Sequence, residues 1–438
     1  MILWPWLSRW QLWMRCLPPY LAGVRAPLFC LSDYHFMPSF YSIGFFGAPN
    51  FGDELLCSTV VGFLQETRSP TDLFVMTRSA KATAGYTELE VEYVEGWAPG
   101  PEYIRHLRKH LHASRSDLTL IGGGGLISDH YTWQGAICYF TDVCWGILMG
   151  RRHAFIGLGV VGLRRWWLKP LVRFVCRQAA STYVRDEHSA AQFHQLAPKA
   201  QVEVGPDLAS LASLPPPIPC DEESPYVLVN FREKPPINEA GLRSLIETLI
   251  ARIGRVVLLP AEPSDLSYYH HIVEQLSPSI REAVEIAEMG TLESAIGLID
   301  GAQAVVAERL HVNVVAAQRQ KPLLVMEYED KVGAYMQSVG TGYLSCSLQD
   351  ISSAHAESLL QLERPDWSNN LAGLRQQARD VLDRTLESAL AAPRPGLGAR
   401  AMAALHLMWL LPLITIRGSL ILIKRAIFGR GAIGRKKR

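Results

Sequence analysis

The strongest constraint on this chain is an alternation of short apolar strand patterns with helical patterns, run twice and interrupted by a proline cluster. From Tyr41 to about Leu208, the segments YSIGFF (41–46), LFVMT (73–77), VEYVE (91–95), DLTLI (117–121), HAFIGL (153–158) and STYVRD (181–186) read as strands. Helical patterns such as Asp53–Gln65 and Tyr103–His112 fall between them. Strands joined through helices return in the same direction, so the sheet is parallel and carries helices on both faces. Pro215, Pro216, Pro217 and Pro219 break the pattern within 209–224, which reads as a linker. A second run occupies 225–390, with strands at 226–231, 255–260, 283–287, 302–307 and 322–326 and a closing helix at 371–390. The expected fold class is therefore α/β: two doubly wound domains, 41–208 and 225–390, facing across a cleft, with ligands at the carboxyl ends of the strands.

The length of 438 residues accommodates two such domains, and 48% hydrophobic against 19% charged residues excludes disorder of the whole chain. The formal charge of +1 hides an asymmetry. Residues 1–31 hold three arginines and no acid, and residues 399–438 hold nine Lys/Arg and no acid, which leaves the body strongly acidic. An acidic body argues against nucleic acid as a partner, and basic, apolar ends suit an anionic membrane surface. In MILWPWLSRWQLWMRC the arginines interrupt the apolar stretch, unlike a signal peptide. Trp6, Trp10, Trp13, Met14 and Leu17 recur at helical spacing, as in an interfacial helix; a helix packed on the protein's own core reads the same way. At the other end 401–416 lacks Asp, Glu, Lys and Arg, contains Pro412, and leads to a basic tail. An in-plane or re-entrant helix keeps both tail and body in the cytoplasm. Both termini, 1–31 and 399–438, are thus expected to associate with the membrane, placing the protein on the inner face of the cell membrane. The eight cysteines are scattered, without C-x-x-C or Cys/His metal spacing, so reduced thiols and no metal are expected.

Four motifs sit where a parallel sheet would place ligands. GFFGAPNFGDELL (44–56) is a strand, a glycine-rich turn and a helix start, with Asn50 able to cap and Asp53-Glu54 in the first turn. IGGGGLISD (121–129) offers a glycine-lined nest at Gly123 and Gly124 for an anion or a sugar hydroxyl, or close packing of two backbones. ERLHVNVVAAQ (308–318) follows a strand and presents Arg309, a fork for carboxylate or phosphate, and His311, a proton carrier near neutral pH. MEYEDK (326–331) follows another strand with Tyr328 and Lys331. A fifth, Gly157-Leu-Gly159-Val-Val-Gly162, matches a dinucleotide fingerprint but follows a mid-sheet strand, with no helix directly behind it.

In this order the motifs resemble the polysaccharide pyruvyltransferase family: G-F-F-G-x-x-N-x-G-D-E, I-G-G-G-G-L, V-R-D-x-x-S with Arg185, Asp186 and Ser189, P-D-L-A at 206–209, V-N-F-R ending at Arg232, R-L-H, and K-P-x-x-V-x-x-Y-x-x-K. The likeness covers about 41–340. It implies two Rossmann-like domains in a glycosyltransferase-B-like pair and a ketal-forming reaction: phosphoenolpyruvate gives its pyruvyl group to two hydroxyls of one sugar and releases phosphate. Arg309 would then clamp the donor, aided by Arg232, Arg185 and Lys331; His311 would be the acid and Asp53 the base. Asn50, Gly123, Gly124 and Tyr328 complete the expected substrate-binding set. No metal or organic cofactor is implied, and the apolar ends point to a lipid-linked sugar acceptor. Glu308 departs from the pattern by placing a negative charge beside Arg309. A nucleotide-sugar glycosyltransferase of the same architecture and a non-catalytic membrane-bound assembly factor are the competing readings.

Overall fold

A computed structural model describes residues 37–428 except 87–88, 97–100, 130–132, 221–222 and 329. The expected amphipathic segment 1–31 and the basic end 429–438 lie outside the described residues. The first sheet has seven parallel strands: β1 (Phe40–Ile43), β2 (Leu73–Thr77), β3 (Glu92–Glu95), β4 (Leu118–Ser128), β5 (Arg152–Gly162), β6 (Ser181–Val184) and β7 (Glu203–Val204), in the order β3-β2-β1-β4-β5-β6-β7. The second has six: β8 (Val227–Asn230), β9 (Val256–Leu258), β10 (Val284–Ile286), β11 (Ala304–Ala307), β12 (Leu323–Glu327) and β13 (Leu344–Ser347), in the order β10-β9-β8-β11-β12-β13. Both orders reverse once, between β1 and β4 and between β8 and β11. The carboxyl ends of strands at such a reversal are where an open α/β sheet leaves a crevice.

Two glycine motifs behave differently from what their spacing suggests. β4 runs on through Gly122–Gly125 to Ser128, with Gly123 and Gly124 at positive φ and register shifts against β5 beyond Gly124. The glycines thus make a bulged strand end rather than an open loop. β5 likewise runs through the whole dinucleotide-like fingerprint. A Cβ on Gly157 would collide with Leu208, and one on Gly159 would come within 2.8–3.0 Å of the Arg185 guanidinium. Those glycines make room for side chains of this chain, and the next helix starts only at Lys169, too late for a pyrophosphate at the glycines to meet its N-terminus.

One apolar cluster joins the two domains. It includes Leu55, Leu56 and Phe63 of the helix Phe51–Arg68, Ile296 and Ile299 of Leu292–Gly301, and Val312, Val315 and Ala316 of Leu310–Gln318. The linker is pinned as well: Ile218 N–H donates to Asp300 Oδ2 at 3.3 Å, and Arg319 Nη2 donates to the Pro215 carbonyl. The helix Ser368–Ala391 returns from the second domain and lies over the first sheet, where Arg68 meets Asp383 at 2.7 Å.

The last helix, Leu397–Phe428, is long and apolar enough over Leu397–Ile416 to cross a membrane by length and composition. It nevertheless packs along the helix Gln134–Leu148, and Ala403, Leu407, Leu410 and Ile414 enter the first domain's core. Burying one alanine and three large aliphatic side chains contributes on the order of 5–9 kcal/mol, which the helix would forfeit by leaving the body.

Candidate functional site

The four motifs meet between the two strand-order reversals. The helix Phe51–Arg68 begins just beyond β1, and the helix Leu310–Gln318 begins just beyond β11. They face each other so closely that a Cβ on Gly52 would lie 2.8 Å from His311 Cγ, 3.0 Å from Cε1 and closer still to Nδ1. The second glycine of G-x-x-N-x-G-D is therefore dictated by the histidine of R-L-H. A backbone hydrogen bond from Phe51 N–H to the Ala261 carbonyl, 2.9 Å, ties the same helix start to the second domain.

Asp53 stands in the first turn of its helix, with Oδ1 3.3 Å from where a Cβ on Gly124 would be. Burial raises its carboxyl to about 7; the Glu54 charge adds to this, and Arg309 opposes it. Such a group changes protonation state near neutral pH, as an acid–base participant must. Glu54, also raised to about 7 by burial, accepts the Gly47 N–H at 2.7 Å and so braces the glycine-rich turn. Asn50 accepts from Gly52 N–H and Asp53 N–H, so its side chain is occupied as the helix cap.

On the far side of His311 lies Asp207, 5% exposed, with Oδ1 3.6 Å from Nε2. That distance exceeds a hydrogen bond, so the attraction is electrostatic at this separation. Burial would raise Asp207, yet it is held well below the usual carboxylate range by His311, by Arg185 and by the Ala209 N–H. Its other oxygen receives Arg185 Nη1 at 3.3 Å, and Arg185 Nε reaches Asp186 at 3.4 Å. Asp207 thereby links the histidine of the second domain to the arginine of the first.

Arg309 is less free than the sequence suggested. Its Nη2 contacts Glu262 at 2.8 Å and Asp265 at 2.9 Å, and Asp265 also accepts the N–H groups of Ala261 and Glu262. Two carboxylates hold its Nη2, while its Nε has no hydrogen-bond partner. Glu308 is fully buried and turns away from Arg309 to Arg232, accepting its N–H at 2.9 Å and its Nε at 2.7 Å. Arg232 in turn lies over the Tyr328 ring at 3.9 Å, and Lys331 Nζ lies 5.1 Å from the same ring. Arg232 Nη2, Arg309 Nε and His311 Nε2 are buried without a hydrogen-bond partner. His311 Nε2 has Asp207 3.6 Å away, whereas Arg232 Nη2 and Arg309 Nε are cationic donors without a partner, and because buried donors are generally paired this junction is a place for a polar or anionic ligand.

Beside this point opens a cleft of about 860 Å³ lined by Arg185, Asp207, Leu310, Tyr328, Lys331 and Tyr335, among others. The expected residues thus fall into two groups: Asp53, Arg309 and His311 at the domain junction, and Arg185, Tyr328 and Lys331 along the cleft. Arg232 connects the groups through Tyr328. Gly123 packs against Leu56, 3.1 Å from its would-be Cβ. Sequence reasoning passed over Asp207, Glu262 and Asp265 as site residues. Asp207 stood within the quoted P-D-L-A. Glu262-Pro-Ser-Asp265 reads as the start of the helix Pro263–Glu274, which conceals its second use. Among the described residues, no group of three or more His, Cys, Asp or Glu is placed to hold a metal ion.

Comparison with solved structures returns the two-domain α/β architecture of the glycosyltransferase-B-like glycosyltransferases and sugar-nucleotide epimerases. UDP-GlcNAc 2-epimerase from Methanocaldococcus jannaschii superposes with a TM-score of 0.54 at 10% identity, covering 80% of this chain and 99% of that one. UDP-N-acetylglucosamine 2-epimerase from Rickettsia bellii gives 0.51 at 11%, covering 81% and 97%. Anabaena Alr3699/HepE in complex with UDP gives 0.51 at 14%, covering 80% and 100%. At these identities the likeness is one of fold. Comparison with curated protein sequences gives no match. The polysaccharide pyruvyl transferase family model matches residues 50–330, the span that holds Asp53, Arg185, Asp207, Arg232, Arg309, His311 and Tyr328, and the chain belongs to that family.

Proposed function

We propose that the protein transfers the pyruvyl group of phosphoenolpyruvate to two hydroxyls of one sugar in a polysaccharide or lipid-linked oligosaccharide. The observation that carries this reading is the junction of two helix starts, where His311 lies against Gly52, the neighbour of Asp53, and 3.6 Å from Asp207, with partnerless nitrogens on Arg309 and Arg232, in a member of this family. Family membership makes the chain a polysaccharide-modifying transferase; donor and reaction course are the proposal.

The donor carries a phosphate and a carboxylate, and Arg232 Nη2 and Arg309 Nε are the donors without partners beside the histidine. His311 gives a proton to the methylene carbon of the donor, which becomes a methyl group as positive charge develops at the adjacent carbon. The first sugar hydroxyl attacks that carbon and Asp53 accepts its proton. The second hydroxyl then replaces the phosphate, which departs with the electron pair of its C–O bond, and the second hydroxyl proton goes to the leaving phosphate or to solvent. Asp207 positions the ring of His311 and compensates its charge when protonated, the part a carboxylate plays behind many catalytic histidines. Arg185, Lys331 and Gln377 line the cleft and offer polar groups to the hydroxyls of a sugar. The reading calls for no metal or organic cofactor, and a cytosolic donor places the reaction on the cytoplasmic face of the membrane.

The test is phosphate release from phosphoenolpyruvate by the full-length protein with a membrane glycolipid extract. Release that requires both acceptor and protein, and that His311→Ala abolishes, supports the reading; release without acceptor, or none with any acceptor fraction, defeats it.

A further inference from the structure

The outer face of the last helix has no partner among the described residues. Its inner face is docked through Ala403, Leu407, Leu410 and Ile414; about half a turn around the helix stand Met402, Leu405, Met408 and Ile416, 45%, 54%, 71% and 60% exposed. Pro412 lies on the same side and is exposed too. A second projection stands next to it. Trp166 is 79% exposed at the tip of the turn after β5. That turn is held from beneath by the buried Asp129, whose two oxygens accept the N–H groups of Arg164 and Arg165, each at 2.7 Å. The turn and the helix are one surface: Trp167 meets Trp409 edge-on with centroids 6.5 Å apart, and Phe174 meets His406 at 4.9 Å.

The two segments that carry these apolar groups are basic in sequence. Residues 163–178 carry Arg164, Arg165, Lys169, Arg173 and Arg177 and no acid, and residues 399–438 carry nine Lys/Arg and no acid. A hydrophobic stripe and a rigidly presented tryptophan, on segments whose charged residues are all basic, complement a bilayer with anionic headgroups. We infer that this composite face, the outer stripe of Leu397–Ile416 together with the Trp166 turn, is where the protein sits on an anionic membrane, the helix lying in the surface plane. The face adjoins the cleft: Val160 and Val161 of β5 line the cleft, and the chain reaches Trp166 five residues later. A sugar on a lipid held in that membrane therefore has a short path into the cleft. This inference rests on surface chemistry and stands apart from the identity of the donor.

The experiment is flotation of the full-length protein with vesicles of phosphatidylcholine alone or mixed with phosphatidylglycerol, for wild type, Trp166→Glu and Met408→Glu. Both sites are solvent-exposed, so thermal midpoints should match wild type. The expected result is partition into the anionic vesicles that weakens with salt, and a loss of about tenfold in each variant. Unchanged partition of both variants overturns the inference, as does failure of the wild type to bind anionic vesicles. If a second copy of the chain or residues 1–31 cover the face instead, Met408→Glu dissociates a dimer or lowers the thermal midpoint while vesicle partition stays the same, which also overturns it.

Discussion

Replacing Gly52 by alanine adds one methyl group, removes no functional atom, and should separate stability from activity. The new Cβ would lie 2.8 Å from His311 Cγ and 3.0 Å from Cε1, against an ordinary contact of about 3.4–4 Å. Nδ1 would lie closer still, so the ring must move by more than about 1 Å, and the side on which Asp207 lies, 3.6 Å from Nε2, offers little room. Displacement of a catalytic group on that scale costs about 100-fold in rate. The effect on stability is smaller, because two terms oppose. Alanine gains up to about 1 kcal/mol of helix propensity over glycine, and overpacking costs about 1–3 kcal/mol. The balance is a loss of up to about 3 kcal/mol, seen as a shift in thermal midpoint. The assay is acceptor-dependent phosphate release, read beside thermal unfolding. A Gly52→Ala protein with wild-type turnover would refute the reasoning, since His311 would then not need the place it holds.

Asp53→Asn should raise the thermal midpoint at pH 8 and leave it unchanged near pH 4. The carboxyl is raised from 3.8 to about 7, so the native state is penalised for its charge only as pH rises through that window. The gain at pH 8 is on the order of 1–2 kcal/mol after allowance for solvent screening, while turnover is lost; wild-type turnover should rise with pH through about 7 as the carboxylate forms, which a pH–rate profile reads. Asp207→Asn should lower turnover about 100-fold with little change in the donor KM, because it loosens the ring rather than the donor. Arg232→Lys, which cannot bond Glu308 and a donor oxygen together, should raise the donor KM about tenfold. Gly62→Ala, at an exposed helical position with open space around the new methyl, should stabilise by up to about 1 kcal/mol without effect on turnover, as thermal unfolding and the phosphate assay together would show.

Much of the architecture was legible because buried parallel strands are short apolar runs. The eleven expected strands all occur, and β7 and β13 escaped notice because two residues, or a Leu-Ser-Cys-Ser run, carry no apolar signature. Glycine patterns were harder to read. Gly157 and Gly159 satisfy the spacing of a phosphate-binding turn, yet their purpose is to admit Leu208 and Arg185, contacts made by residues far along the chain. The R-L-H pair was placed from its position after β11, but Arg309's two carboxylate partners come from the start of another helix and could not be inferred from spacing. Glu308 looked out of place beside an anion clamp; its role became plain only once Arg232 was seen across β8 and β11. Asp207 stood in a recognised motif without a role, because nothing local tells that His311 lies opposite. The closing helix was legible as a helix, and a helical pattern does not say which sheet it covers.

The central claim is that His311 protonates the donor at the junction of the two domains and two sugar hydroxyls capture the resulting cation. It is tested most directly by running the reaction with phosphoenolpyruvate and acceptor in deuterated water and weighing the glycan product. The account predicts a ketal whose new methyl group carries one deuterium, formed with equimolar phosphate and absent with His311→Ala. A pyruvylated product formed at the wild-type rate by His311→Ala would contradict it, as would a glycosylated product obtained from a nucleotide sugar and none from phosphoenolpyruvate.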